Sequence, residues 1–310
     1  MTVHEPSASG SATAAPRLDP RAAVGPVSLV AQDRAALSRW YQSALGLSPL
    51  AETERVTVLG TAGGTPLVTL VGDPQATVGP RRQSGLFHVA ILLSTRADLG
   101  RWLAHASRSG LRIEGAADHL VSEAVYLSDP EGNGIEIYRD RPRDAWPLRE
   151  GRIHMDNSPF DVAGVAADAE AAGGSYGGAP EGTIVGHVHL KVDDIGRARA
   201  FYEGLVGFDV TEEGYASALF VAAGGYHHHI GLNTWRSAGA RRVPGTTGLD
   251  AVTVTLPAGA AEPLAERLAA AGAPVERRGG HPAAIDPAGN RVVLLEGAAD
   301  ARTAVAAAGG

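Results

Sequence analysis

The sequence has no cysteine. That absence excludes a disulfide framework, a thiolate zinc ribbon and a thiol nucleophile, and it leaves histidine and carboxylate as the means of holding a metal. Long apolar runs are missing as well, since no segment offers the ~20 apolar residues that cross a bilayer. Residues 1–22 are rich in Ala, Ser and Pro but carry no apolar stretch flanked by positive charge. They read as the disordered tail of a cytoplasmic protein rather than as a secretory leader. Basic residues are in the minority: 27 Lys and Arg against 34 Asp and Glu give a formal net charge of -7. No basic cluster is interleaved with aromatics, which argues against a nucleic-acid surface. The expected partner is a small molecule, with no nucleic acid and no membrane.

What the chain does have is size and repetition. Its 310 residues, 44% of them hydrophobic, suffice for a large core in two domains or several smaller modules. Val24-Gly25-Pro26-Val27-Ser28-Leu29 aligns without a gap to Val185-Gly186-His187-Val188-His189-Leu190. The match continues through Trp40-Tyr41 against Phe201-Tyr202, to Gly46 against Gly207. Gly85-Leu86-Phe87-His88 corresponds to Gly248-Leu249-Asp250-Ala251, and Asp129-Pro130-Glu131-Gly132-Asn133 to Asp286-Pro287-Ala288-Gly289-Asn290. Four related modules follow.

Each module reads as a strand, a helix and further strands. In the third, residues 185–192 alternate as a strand does, Asp193-Asp194 is a helix N-cap, and Ile195, Ala198, Phe201, Tyr202 and Leu205 recur at helical spacing. Residues 217–222, a Gly224-Gly225 turn and residues 226–235 predict a hairpin. The fold class is therefore α+β, with four βαβββ modules. The expected layout is a tail over 1–22, a first domain of modules one and two over 23–140 and a connector over 141–183. A second domain of modules three and four covers 184–297, followed by a frayed Ala-rich end over 298–310. Within the connector, residues 160–172 form a candidate short helix.

Several stretches together resemble the vicinal-oxygen-chelate superfamily of glyoxalases, bleomycin-resistance proteins and extradiol dioxygenases. They are residues 119–124, residues 126–138 around the Asp129-Pro130-Glu131-Gly132-Asn133 turn, Gly186-His187-Val188-His189-Leu190, and residues 224–235 with their run His227-His228-His229. The resemblance covers about residues 22 to 297. Within the superfamily the chain looks like the catechol 2,3-dioxygenases built from two fused two-module domains.

The resemblance implies a metal triad of His88, Glu136 and His187, because the family's ligands fall on the first strand of a module and after the Asp-Pro-x-Gly-Asn turn. Two histidines and one carboxylate fill three corners of an octahedron around iron(II), with manganese(II) the alternative. The competing readings are ordinary: a buried imidazole for His88 and a solvent-facing carboxylate for Glu136. His189 competes with His187 on the same strand face, but His187 is the residue that aligns with His88, whereas His189 aligns with Ala90. The match places the acid-base role on His228, with His227 and His229 as rivals and His229 also a candidate fourth ligand. It places Tyr126 and His119 against the diol oxygens of the substrate. Gly134 and Gly231 would leave room near the metal.

The usual large extradiol enzyme carries its site in the C-terminal domain. Here Ala251 and Val293 occupy the ligand positions of module four, and Pro26 and Ser28 those of module one, so only modules two and three are equipped. They must meet within one chain or across a homo-oligomer. The activity implied is extradiol cleavage of a catechol by O2 to a 2-hydroxymuconic semialdehyde. A glyoxalase-like lyase or isomerase, or a protein that sequesters an aromatic ligand, are the alternatives.

Overall fold

The computed structural model describes residues 17–309. Four βαβββ modules are present. Module one comprises β1 (Ala23–Ala31), α1 (Arg34–Leu45), β2 (Ser48–Glu52), β3 (Val56–Gly60) and β4 (Pro66–Gly72). Module two comprises β5 (Gly85–Leu92), α2 (Arg96–Arg108), β6 (Gly115–Asp118), β7 (Ser122–Ser128) and β8 (Gly134–Asp140). A connector with a small ribbon, β9 (Leu148–Arg149) and β10 (Arg152–Ile153), and α3 (Val162–Ala172) leads to module three. That module has β11 (Ile184–Lys191), α4 (Ile195–Arg199) continuing as a π-helical turn to Val206, β12 (Asp209–Glu212), β13 (Ala218–Ala222) and β14 (Ile230–Asn233). Module four has β15 (Gly248–Leu256), α5 (Ala261–Ala270), β16 (Val275–Arg278), β17 (His281–Ile285) and β18 (Arg291–Glu296), and α6 (Ala301–Ala307) ends the chain. Among the described residues, no helix is long and apolar enough to cross a membrane.

The modules pair across the halves of the sequence. One eight-stranded sheet runs β16-β17-β18-β15-β1-β4-β3-β2 and joins modules four and one. The other runs β12-β13-β14-β11-β5-β8-β7-β6 and joins modules three and two. Each is sealed at its centre by an antiparallel pair, β1 with β15 and β5 with β11. Modules two and three thus meet within one chain, without a second copy. The two halves 23–140 and 184–297 each contribute four strands to each sheet.

The repeated residues stitch the two sheets together. Asp129 Oδ1 accepts from the N–H groups of Glu131 and Asn133, both at 2.9 Å, and its Oδ2 accepts from Asn133 Nδ2 at 2.8 Å and from the Tyr41 hydroxyl at 3.0 Å. Asp286 repeats the pattern with Ala288, Asn290 and the Tyr202 hydroxyl, the last again at 3.0 Å. The tyrosine on the helix of module one and of module three therefore locks the turn of the following module, which lies in the other sheet. Gly46 and Gly207 align because both end their helices in the left-handed region, at φ 62° and 98°, where a side chain is strained. One apolar cluster, including Leu29, Tyr41, Leu99, Trp102, Phe201 and Leu294, fills the space between sheets and helices.

Both ends of the chain differ from expectation. Residues 1–16 of the expected tail lie outside the described residues, but from Leu18 the backbone is seated on module three, with its N–H donating to Gly207 O at 2.8 Å and Ala22 buried. The end expected to fray forms α6, capped reciprocally by Asp300 and Thr303. Ala304 and Ala308 pack on Val56, Val58 and Val71, and Ala307 on Ala251, Ala283 and Val293. Because Ala251 and Val293 stand where module two has His88 and Glu136, that part of the concave face is apolar, and a helix of small residues fits it closely. In the connector, the expected helix runs from Val162 and lies on α2 over Gly100, whose missing Cβ would stand 2.3 Å from Val165 O.

Candidate active site

The second sheet leaves its concave face open. Across it, the backbone register places His187 opposite Ala90, Ala90 beside Glu136 and Glu136 opposite Tyr126, a row over β11, β5, β8 and β7. His88 stands two residues before Ala90, on the same face of β5, opposite His189. The single methyl of Ala90 lets its neighbours on both sides close over it. His88 Nε2 lies 3.1 Å and His187 Nε2 3.2 Å from the same oxygen, Glu136 Oε2. His88, Glu136 and His187 are 7%, 2% and 2% exposed, and each offers a ligand atom within 4.8 Å of the other two.

These separations fit a shared ion. Neighbouring ligands at ~2.1 Å from an octahedral centre stand about 3.0 Å apart, against about 3.4 Å for a tetrahedral one. His88 Nε2 is buried without a hydrogen-bond partner despite its closeness to the carboxylate, so its lone pair is free for another centre. His187 Nδ1 is also unpartnered and lacks the outer hydrogen bond that usually orients a ligating imidazole. Its ring is instead held against His228, centroid to centroid 4.1 Å, and Tyr138, 4.8 Å. Burial on its own would raise the Glu136 carboxyl, but His187 and His88 beside it hold it well below the ordinary carboxylate range. Burial lowers His187, so it is the neutral form that is favoured. A carboxylate and neutral imidazoles are the forms that bind metal.

The other residues named from the sequence surround this group. The His119 ring lies 2.6 Å from the Tyr126 hydroxyl through Nε2, and Tyr126 packs against His88 at 5.7 Å. Burial, followed by the adjacent Glu136 carboxylate, holds the Tyr126 hydroxyl well above its ordinary range, so it keeps its proton as a donor. His229 does not join the group. Its Nδ1 accepts from Ala223 N–H at 3.1 Å and its ring packs on Tyr226, so it supplies no fourth ligand. The hairpin strand predicted over 226–235 is shorter than expected, since only Ile230–Asn233 pairs with β13 and the three histidines form the loop before it. Gly224 and Gly225, at φ 61° and 69°, turn the chain there.

That loop is held by a chain of hydrogen bonds whose direction can be worked out. Tyr226 donates to Asp140 Oδ2 at 2.8 Å, so the Tyr138 hydroxyl 2.8 Å from it must donate to Tyr226. His227 Nε2 lies 2.8 Å from Asp140 Oδ1 and donates to that carboxylate. With a single proton on the His227 ring, at Nε2, its Nδ1 accepts from His228 Nδ1–H at 2.8 Å. His228 is left with a lone pair on Nε2. The sequence reading missed Tyr138 and Asp140, although both follow Glu136 at the two-residue spacing of one strand face.

The glycines give no spare room. A Cβ on Gly231 would stand 2.9 Å from the His189 ring, and one on Gly134 2.1 Å from Phe87 O. The open space lies above, in a cavity of about 880 Å³ lined by His88, Glu136, His187, Tyr126, His119 and His228. A bulge in β5 turns Phe87 to the same side, where it meets Trp235 edge to face at 5.4 Å.

Comparison with known proteins agrees with this architecture. The family model described as "Glyoxalase/Bleomycin resistance protein/Dioxygenase superfamily" matches residues 23–137 and 184–294. A Catechol-2,3-dioxygenase of Bacillus subtilis (strain 168) is 46% identical over 224 residues, covering 71% of this chain and 77% of the relative. A Biphenyl-2,3-diol 1,2-dioxygenase 3 of Rhodococcus globerulus is 25% identical, covering 48% of this chain and 80% of the relative. The crystal structure of glyoxalase I from Zea mays shares the fold, with a TM-score of 0.53 at 15% identity, over 89% of this chain and 93% of that one. The chain belongs to the glyoxalase/bleomycin resistance protein/dioxygenase superfamily, and within it resembles the catechol-2,3-dioxygenases.

Proposed function

We propose that the protein is an iron(II)-dependent extradiol dioxygenase that opens the ring of a catechol beside its diol, with both atoms of O2 entering the 2-hydroxymuconic semialdehyde. The observation that carries this reading is the convergence of three buried ligand atoms at the base of a cavity that also holds a bare imidazole nitrogen and a protonated phenol. His88, Glu136 and His187 would hold the metal. Iron(II) bound there supplies open coordination positions and the electron path between an aromatic diol and dioxygen.

The chain's own residues do the rest. His228 accepts a diol proton at Nε2, and the His227–Asp140 arm behind it keeps that tautomer and shares the charge that develops. Tyr126, steadied by His119, donates to a diol oxygen. Phe87 and Trp235 form an aromatic wall along which a flat ring can lie. Three protein ligands, rather than the four a glyoxalase-like lyase would use, favour the dioxygenase reading. Manganese(II) has the same ligand preferences and is the alternative metal.

The test is reconstitution with iron(II) under nitrogen, addition of catechol, then air, with oxygen uptake and the yellow ring-fission product recorded together. One O2 consumed per product formed is expected. Iron retained with no oxygen uptake across catechol and several substituted catechols would overturn the reading.

A further inference from the structure

The cavity continues well past the triad, and its far end is cationic. Along β11, His187, His189 and Lys191 share one strand face, and all three line the cavity. At about 3.3 Å per residue, the backbone of Lys191 stands about 13 Å from that of His187. Two loops, residues 73–84 and 236–247, close this end together: Gln83 Nε2 donates to Thr246 Oγ1 at 3.2 Å, and Val243 N–H donates to Gln83 Oε1 at 3.0 Å. The second loop adds Arg236 and Arg242 to the lining of the cavity that Lys191 also lines, with Arg236 close enough to act on the Lys191 charge.

These cations lack anions. Among the described residues, no carboxylate lies within ion-pair distance of Lys191, Arg236 or Arg242. Asp250, the carboxylate that most favours the charged form of Arg242, already binds Arg278 through both oxygens at 2.9 Å and lies 3.3 Å from Arg291. Glu131 accepts from the backbone of Gln32 and Asp33 at 3.0 and 3.1 Å. Glu136 belongs to the triad, and Glu114 stands exposed by the edge strand β6, four strands from β11. Lys191 and Arg242 are half-buried, and burial lowers both, with Arg236 pressing Lys191 further in the same direction. Partly buried cations without a partner are costly unless something else supplies the anion. Between them and the triad, His189 is 4% exposed and its Nε2 has no hydrogen-bond partner.

We propose that this end of the cavity is a carboxylate subsite, with Lys191 and Arg242 holding an anionic group on a short arm of the aromatic substrate and His189 Nε2 contacting the arm. The diol part of that substrate rests on the dioxygenase reading; the anion part does not. Its chemical class is therefore a dihydroxyphenyl alkanoate rather than a bare or alkylated catechol.

The probe is 3-phenylpropionate, which has no diol to oxidise, compared with its methyl ester on the metal-free full-length protein. Trp235 lines the cavity, so its fluorescence reports occupancy. The acid should bind about tenfold or more tightly than the ester, the size of a charge-assisted contact. Lys191→Met and Arg242→Met should each shrink that ratio, and Lys191→Arg should keep most of it. Equal binding of acid and ester to the unaltered protein overturns the proposal whether or not the variants fold. The two readings separate cleanly. If diols are cleaved with no preference for acid over ester, the subsite fails alone; if the acid is preferred but no diol is cleaved, the dioxygenase reading fails alone.

Discussion

Acid should unfold the metal-free protein at a pH where most proteins of this size are still stable. His187, His189, His228 and His229 are all depressed: burial lowers each, neighbouring imidazoles lower them further, and His229 is brought down to about 3. In the unfolded chain a histidine titrates near ~6.5. The folded state therefore refuses protons that the unfolded state takes up, so this contribution is fully present above that pH and is lost progressively as pH falls below it toward the lower folded-state value. Each such histidine contributes at most about 1.4 kcal/mol per pH unit, and four together at most about 5.5 kcal/mol per unit. That is a large part of a typical total of roughly 5–15 kcal/mol. The assay is urea denaturation after chelator treatment, at pH 7.5, 6.5 and 5.5, for the native sequence and for His228→Gln. The variant should lose about a quarter of the slope, and the comparison cancels every other titrating group. A midpoint that stays constant from pH 7.5 to 5.5, or a slope that His228→Gln leaves unchanged, would refute the burial argument.

Other outcomes follow from the same geometry. His88→Ala, Glu136→Ala and His187→Ala should each weaken iron(II) binding by more than about 100-fold, the upper end of the loss seen for outer-shell changes; metal retained at full stoichiometry in any of the three by elemental analysis would remove that residue from the site. Ala90→Leu should abolish metal binding by wedging the row between His187 and Glu136, at a stability cost of about 1–3 kcal/mol from overpacking, read by calorimetry with and without metal. Tyr41→Phe and Tyr202→Phe should each cost about 1–2 kcal/mol, since each removes one donor from an equivalent buried carboxylate at the same 3.0 Å; clearly unequal losses in thermal melts would show that the two stitches are not equivalent. Ala307→Glu should lower the melting temperature by placing a charge against Ala251 and Val293, while metal content stays unchanged.

The legible part of the molecule is the part written in strand alternation and repeated positions. His88, Glu136 and His187 could be named because the family resemblance assigns ligands to those points of a module, and alternation around Glu136 separates its face from that of Ile135 and Ile137. The same rule extends to Tyr138, Asp140 and Lys191, which lie on the faces of Glu136 and His187 and went unread for want of a partner to suggest their roles. Pairing between modules is a different kind of information. β1 and β15 are joined across more than half the chain, and nothing local to either strand states that module one pairs with module four rather than with module two. The docking of α6 depends on that pairing, since its seat exists only once both modules are in place. Before then, the stripe of small apolar residues Ala301, Ala304, Val305 and Ala308 has nothing to pack on.

Two copies of one sheet use their hollow faces in opposite ways, and the difference is one of polarity. In the sheet of modules two and three, that face buries histidines and a carboxylate, several with unpartnered atoms, an arrangement that costs stability unless a ligand completes it. In the sheet of modules one and four, Ala251 and Val293 stand where His88 and Glu136 would be, and α6 covers them with methyl groups. Substituting histidine at Ala251 or glutamate at Val293 would not restore a metal site, because Ala307 occupies the space a ligand side chain would need. The helix would have to leave first, exposing the apolar seat it covers on β3, β4 and β15. Occupation of that face by α6 accounts for a single candidate metal group among the described residues of a protein with two sheets of the same design: the second hollow is not vacant but already filled.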